Sequence, residues 1–292
     1  MRYKHIVLTF SLILPLCVII RMLVLSIMSN PNGFLSSRYR DVGMLFLGAF
    51  TVLVALLVGI ACTIRRCPTK APTVKAPAVI GSVLYSVVLA ISAVADGFFS
   101  KNANVLTFAT GTFGIIAAVA IMLYASSGIF KFKANGLFFA AVVIYYALRL
   151  ICSFMVISTL SITFQNILWV LAEATQMLVL LQFGKIISEK KEKNGYKTTI
   201  AISLAAIVIN ASYALPNLLL VSSDNIVNKS KTFWSSSVLA LAGAVFCAIF
   251  LFSYYGSANL KRHSSHYHRK KYKYDPTVEN SFYMDTRHHS HN

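Results

Sequence analysis

Arg149 and Glu173 are the side chains whose placement points most directly to chemistry, because both are ionisable groups set in the middle of long apolar runs. A charge near the centre of a bilayer costs about 2.5 to 3.5 kcal/mol on insertion scales, so it needs a partner or a task. Ser161, near the middle of the connection Ser158 to Ile162, lies 12 positions from each of them. At 1.5 Å per residue both groups sit about 18 Å from that tip, level with each other on neighbouring antiparallel helices. This spacing predicts an ion pair. Such a pair either locks the hairpin or lines a wet cavity, since a buried ion pair seldom adds stability over apolar residues of similar volume.

Neutral polar residues gather at the same level. Asn166, Trp169, Glu173 and Gln176 follow spacings of three and four, which puts them on one stripe of a helix. Arg149 has Tyr145 and Tyr146 one turn before it and Ser153 one turn after. In the next run Asn210, Tyr213 and Asn217 share a face beside Pro216, whose missing N–H leaves a carbonyl open. The candidate substrate-binding residues are therefore Arg149, Glu173, Gln176, Asn210 and Tyr213. The arginine would favour an anionic or carboxylated solute, and the glutamate could couple to a proton. Arg21 and Asp96 read differently, as groups near one end of their runs. Arg21 is expected to snorkel to headgroup level and meet Asp96 or Asp41 there, an anchoring role.

The elements that must hold these residues are plain from the hydropathy. The chain has 292 residues, 57% hydrophobic and only 12% charged, with a mean hydropathy of +0.68. That is too apolar for a soluble domain. Eight runs approach the roughly 20 residues needed to cross a bilayer. They extend from Ile6 to Met28, Val42 to Cys62, Pro77 to Gly97, Val105 to Ser126, Gly136 to Ser158, Thr163 to Ile187, Thr198 to Ser222 and Phe233 to Tyr255. None shows the alternation of a membrane β-strand, so helices are the consistent reading. Although Arg2 and Lys4 precede the first run as in a signal peptide, Arg21 interrupts it and no small-x-small site follows, so it is read as a retained helix.

Twenty of the 27 Lys and Arg residues fall at the N-terminus, in alternate loops and in the C-terminal tail; five fall in the remaining loops and two within runs. This bias places both termini in the cytoplasm and accounts for most of the +18 net charge without a nucleic-acid partner. The expected fold is all-α: a polytopic bundle of eight transmembrane helices over residues 1–256, followed by a disordered basic, His- and Tyr-rich cytoplasmic tail over 257–292. Hairpins beginning near Pro77, Gly136 and Thr198 recur after 59 and 62 residues, the period of any minimal membrane hairpin as well as of a duplicated one.

Several function classes lose support. Every histidine lies toward a terminus, and no paired carboxylates, H-E-x-x-H, Ser/His set or phosphate loop is present. No enzymatic activity and no cofactor are expected. Cys62 and Cys67 stand at a spacing unsuited to a redox or zinc pair, and no outer loop holds a cysteine for a disulfide. Asn228-Lys229-Ser230 is a glycosylation triplet.

In the tail, KRHSSHYHRKKYK carries Lys261, Arg262, Arg269, Lys270, Lys271 and Lys273 directly after a span. These are expected to lie on anionic lipid headgroups at about 1 kcal/mol each. The intervening histidines match no closed metal site. Two functions fit the whole: a secondary transporter or permease of a small polar or anionic solute in the cell (plasma) membrane, or a membrane sensor or scaffold subunit with no activity of its own.

Overall fold

The computed structural model describes residues 10, 13–23, 48–56, 58–59, 76–99, 104–130, 135–159, 164–188, 195–220 and 235–253. These form eight helical segments and no strand among the described residues. They are α1 (Ile13–Leu23), α2 (48–56, continuing at 58–59), α3 (Ala76–Phe98), α4 (Val105–Phe130), α5 (Leu137–Thr159), α6 (Phe164–Ile187), α7 (Gly195–Leu220) and α8 (Ser235–Ser253). Helices α3 to α8 are long and apolar enough to cross a membrane, and the chain is an integral membrane protein. In α1 and α2 fewer residues are described than a span requires. The N-terminal residues, the Cys62 and Cys67 pair, Asp41, the Asn228 triplet and the whole basic tail lie outside the described residues.

Local chemistry sets the helix starts. Asn104 caps α4: its N–H donates to Thr107 Oγ1 at 2.8 Å, and its carbonyl accepts from Phe108 N at 3.0 Å. Asn135 caps α5 through its Oδ1, which accepts from Leu137 N at 3.2 Å. At the other end of α6, Ser188 N and Oγ both donate to Gly184 O, closing the last turn.

The helices are apolar toward lipid and small or polar toward one another. On α3 the exposed stripe is Ile80, Leu84, Val87 and Ile91, whereas Gly81, Ser82, Tyr85, Ser86, Ser92 and Ala93 are buried. This inversion suits a lipid surround, where close packing and hydrogen bonds hold helices together. Successive helices from α3 to α7 pack on their neighbours. Between α3 and α4 the backbones nearly touch, and a methyl group built on Gly97 would collide with the Cα of Gly111. Gly114 likewise leaves room for Ala93 and for the Tyr145 ring of α5.

Helix α7 is the axis of the bundle. Its most apolar stretch is 83% buried, against 33–56% for the other five long helices. Cys17 of α1 and Phe50 of α2 join Trp169 of α6, Tyr213 of α7 and Ala240 of α8 in one core. The polar residues of α7 thus face protein on nearly every side.

Candidate functional site

Five helices bring polar side chains to one point in the interior. From α5, Arg149 Nε donates to Glu173 Oε1 of α6 at 2.5 Å. The hairpin geometry explains this pair, since the two residues are equidistant from the turn that joins their helices. Arg149 NH1 donates to Tyr145 Oη at 2.9 Å, one turn earlier on α5, and to Ser92 Oγ of α3 at 3.1 Å. Arg149 NH2 donates to Ser236 Oγ of α8 at 2.6 Å. Every nitrogen of the guanidinium is therefore engaged, as its burial at 5% exposure demands.

Asp96 of α3 is a second carboxylate on the same guanidinium, with Oδ2 2.9 Å from Arg149 NH1. Asp96 thus meets Arg149 rather than the Arg21 expected as its partner. This also corrects the reading that the sequence holds no paired carboxylates, since Asp96 and Glu173 share one guanidinium. Counting residues from the end of each run assumes that all helices end in one plane. Asp96 lies two residues from the end of α3 and Arg149 ten from the end of α5, so the two helix ends are offset. The long arginine side chain covers part of the remaining distance.

Hydroxyls complete the coordination. Ser235 Oγ of α8 donates to Asp96 Oδ2 at 3.0 Å, and Ser92 Oγ lies 2.8 Å from Ser235 Oγ. With the single Ser235 proton committed to Asp96, Ser92 is the donor in its bond to Ser235 and the acceptor from Arg149. Glu173 is held at both oxygens: Trp169 Nε1 donates to Oε1 and Ser153 Oγ to Oε2, each at 2.8 Å.

Beside this network is a small cavity whose polar walls are Tyr146, Arg149, Trp169, Glu173, Asn210, Tyr213 and Ser236, with Ala172, Leu239 and Ala240 between them. Its free space admits about one water molecule. Of the five residues expected to bind substrate, Arg149, Glu173, Asn210 and Tyr213 meet at this cavity. Asn210 also donates to Ala206 O of its own helix at 2.8 Å. Gln176 does not join them. It packs against Gly243 and lies 3.7 Å from the thiol of Cys247, because a step of three turns a helical side chain about 60° off the line of Glu173. Asn217 lies 3.4 Å from Ser237 Oγ, away from the cavity lining.

Arg21 departs from expectation as well. It is wholly buried rather than drawn up to a headgroup, and Tyr213 is its electrostatic neighbour. Its position seven residues inside the first run was the available sign.

Tyr146, which lines the cavity, leads into a set of packed rings. Tyr146 Oη and Tyr85 Oη are 2.9 Å apart, and Tyr85 stacks on Phe246 with centroids 4.9 Å apart. Beyond them Phe183 stacks on Phe250 at 3.8 Å, and Phe139 and Phe246 meet Phe183 edge-on. Phe139, Phe183 and Phe246 lie ten residues, or about 15 Å, along their helices from Arg149, Glu173 and Ser236. Among the described residues no three of His, Cys, Asp and Glu gather closely enough to hold a metal ion. No known protein family, characterised protein or solved structure matches this chain.

Proposed function

We propose that this protein is a secondary carrier of a small polar solute, with the Asp96–Arg149–Glu173 cluster and the adjoining cavity as its solute-handling centre. The observation that carries this reading is the convergence of α3, α5, α6, α7 and α8 on charged and hydroxyl groups inside a membrane bundle. Ionisable groups at such depth are costly and mark solute or ion pathways. Two carboxylates on one guanidinium leave Arg149 little attraction for an anion, so the charge balance favours a neutral or cationic solute over an anionic one. In this reading the eight segments are eight spans with both termini in the cytoplasm of a plasma-membrane protein. The chain acts without a cofactor and is not an enzyme, and its basic tail rests on anionic lipid.

The test is water access. In membranes carrying Asn210→Cys, with the native cysteines replaced, a small aqueous thiol reagent should react at position 210, because a carrier centre must open to water in its cycle. Complete protection favours the second reading, a sensor or scaffold subunit in which the cluster only ties helices together. That second reading draws on one specific observation, the room for about one water beside a guanidinium whose nitrogens are all bonded.

A further inference from the structure

The two carboxylates on Arg149 are held very differently. Glu173 has both oxygens bonded, by Arg149, Trp169 and Ser153, and its side chain is 7% exposed. Asp96 receives its bonds on Oδ2, from Arg149 and Ser235, with the Ser92 hydroxyl 3.4 Å away; its side chain is 19% exposed. It also stands two residues from the end of α3. On the arginine side, NH1 has two hydrogens and three acceptors around it, namely Asp96, Tyr145 and Ser92. If Asp96 lets go, both hydrogens remain bonded and Glu173 still balances the guanidinium charge. Glu173 has no such freedom.

We propose that Asp96 is the exchangeable carboxylate of the centre, and that a small monovalent cation takes the place of Arg149 on it. The inference deepens the carrier reading and rests on it, by naming the charge of what is bound. Asp96 with the hydroxyls of Ser92 and Ser235 is a set of hard oxygen acceptors, fit for a primary ammonium with three N–H donors or for a partly dehydrated sodium ion. Exchange converts a cluster of two negative charges and one positive into two ion pairs, Asp96 with the cation and Glu173 with Arg149. That removes an excess charge from a poorly hydrated place, which gives cation binding its driving force. Release of the cation returns Asp96 to Arg149, so the bound and empty states differ in the tie between α3 and α5.

Trp169 reports on this directly, since it donates to the same Glu173 oxygen as Arg149. The full chain carrying Trp234→Phe, which leaves Trp169 as its one tryptophan, is purified and titrated at constant ionic strength with sodium or methylammonium against N-methylglucamine. Trp169 emission and the thermal midpoint should both change saturably with one of the two cations, and the cation acting at lower concentration identifies the source. Asp96→Asn should weaken that response at least tenfold, whereas Asp96→Glu should retain it. No saturable change in either signal, or an unaltered response in Asp96→Asn, overturns the inference. Binding that depends on Asp96 in a protein whose position 210 stays sealed removes the carrier and keeps the site. Reactivity at 210 without such binding does the reverse.

Discussion

Near the middle of α5 and α6, helices α3, α5, α6 and α8 meet through charges and hydroxyls around Arg149, whereas about 15 Å along, the same four helices meet through the rings of Tyr85, Phe139, Phe183 and Phe246. The contrast shows how one set of rods can carry two kinds of instruction. Hydrogen bonds and ion pairs are directional and short-ranged, so the Arg149 level fixes the rotation and register of each helix. Ring packing depends on volume, so the Phe183 end fixes how far apart the helices stand and excludes water. An ion cluster alone would leave a hydrated passage through the bundle, and rings alone would let the helices slip.

This contrast can be broken most severely at Arg149. Replacing it with Met leaves the buried Glu173 and the half-buried Asp96 without a counter-ion, and unfolding in detergent should show a loss of about 3–5 kcal/mol. The charge swap Arg149→Glu with Glu173→Arg sharpens the point. A lone pair would be restored by it, but here the new glutamate faces Asp96, so the swapped protein should stay as unstable as the single variants until Asp96→Asn is added. Rescue by the swap alone would reduce the cluster to two residues.

Next in size is Phe183→Ala, with an expected loss of about 3–4 kcal/mol, against about 1 kcal/mol for Phe183→Leu, because the Phe183 end depends on volume rather than on polarity. Thermal unfolding of the two variants side by side gives the ratio; equal losses would mean that the rings do not set the helix spacing. Gly114→Ala comes third, at about 1–2 kcal/mol, since its methyl would meet Ala93 and come within 2.8 Å of the Tyr145 ring. Its effect should travel to the ion cluster through Tyr145 and also alter the emission of Trp169. The smallest change is Tyr85→Phe, which deletes the hydroxyl pair with Tyr146 and should cost about 0.6 kcal/mol, the scale of a single interhelical hydrogen bond in a membrane.

Which parts were legible in the sequence follows from what the chain itself constrains. The pairing of Arg149 with Glu173 was readable because a short loop makes α5 and α6 antiparallel and gives a common origin for counting depth. Asp96 was not, because α3 and α5 are not consecutive and nothing in the sequence states how far their ends are offset. Six helix positions agree with the apolar runs to within a few residues, α4 running on to Phe130 where Ser126 was expected. Ser235 and Ser236 carry no signal of their own, since serines are ordinary residues near a helix start. The Phe183 rings were equally silent, for an apolar ring in a membrane helix faces lipid as readily as protein. Gln176 shows the limit of a stripe argument, because a step of three residues is close enough to share a helix face and far enough to serve a different neighbour.

The encasement of α7 has a consequence for how the protein is made. A segment that carries Asn210, Pro216 and Asn217 and turns almost no surface outward has no lipid-adapted side on which to rest after synthesis. It is emitted before α8, so during translation it waits without one of its walls, and ribosome-bound chains ending near Leu220 should be substrates for membrane chaperones or quality-control proteases until the last helix arrives.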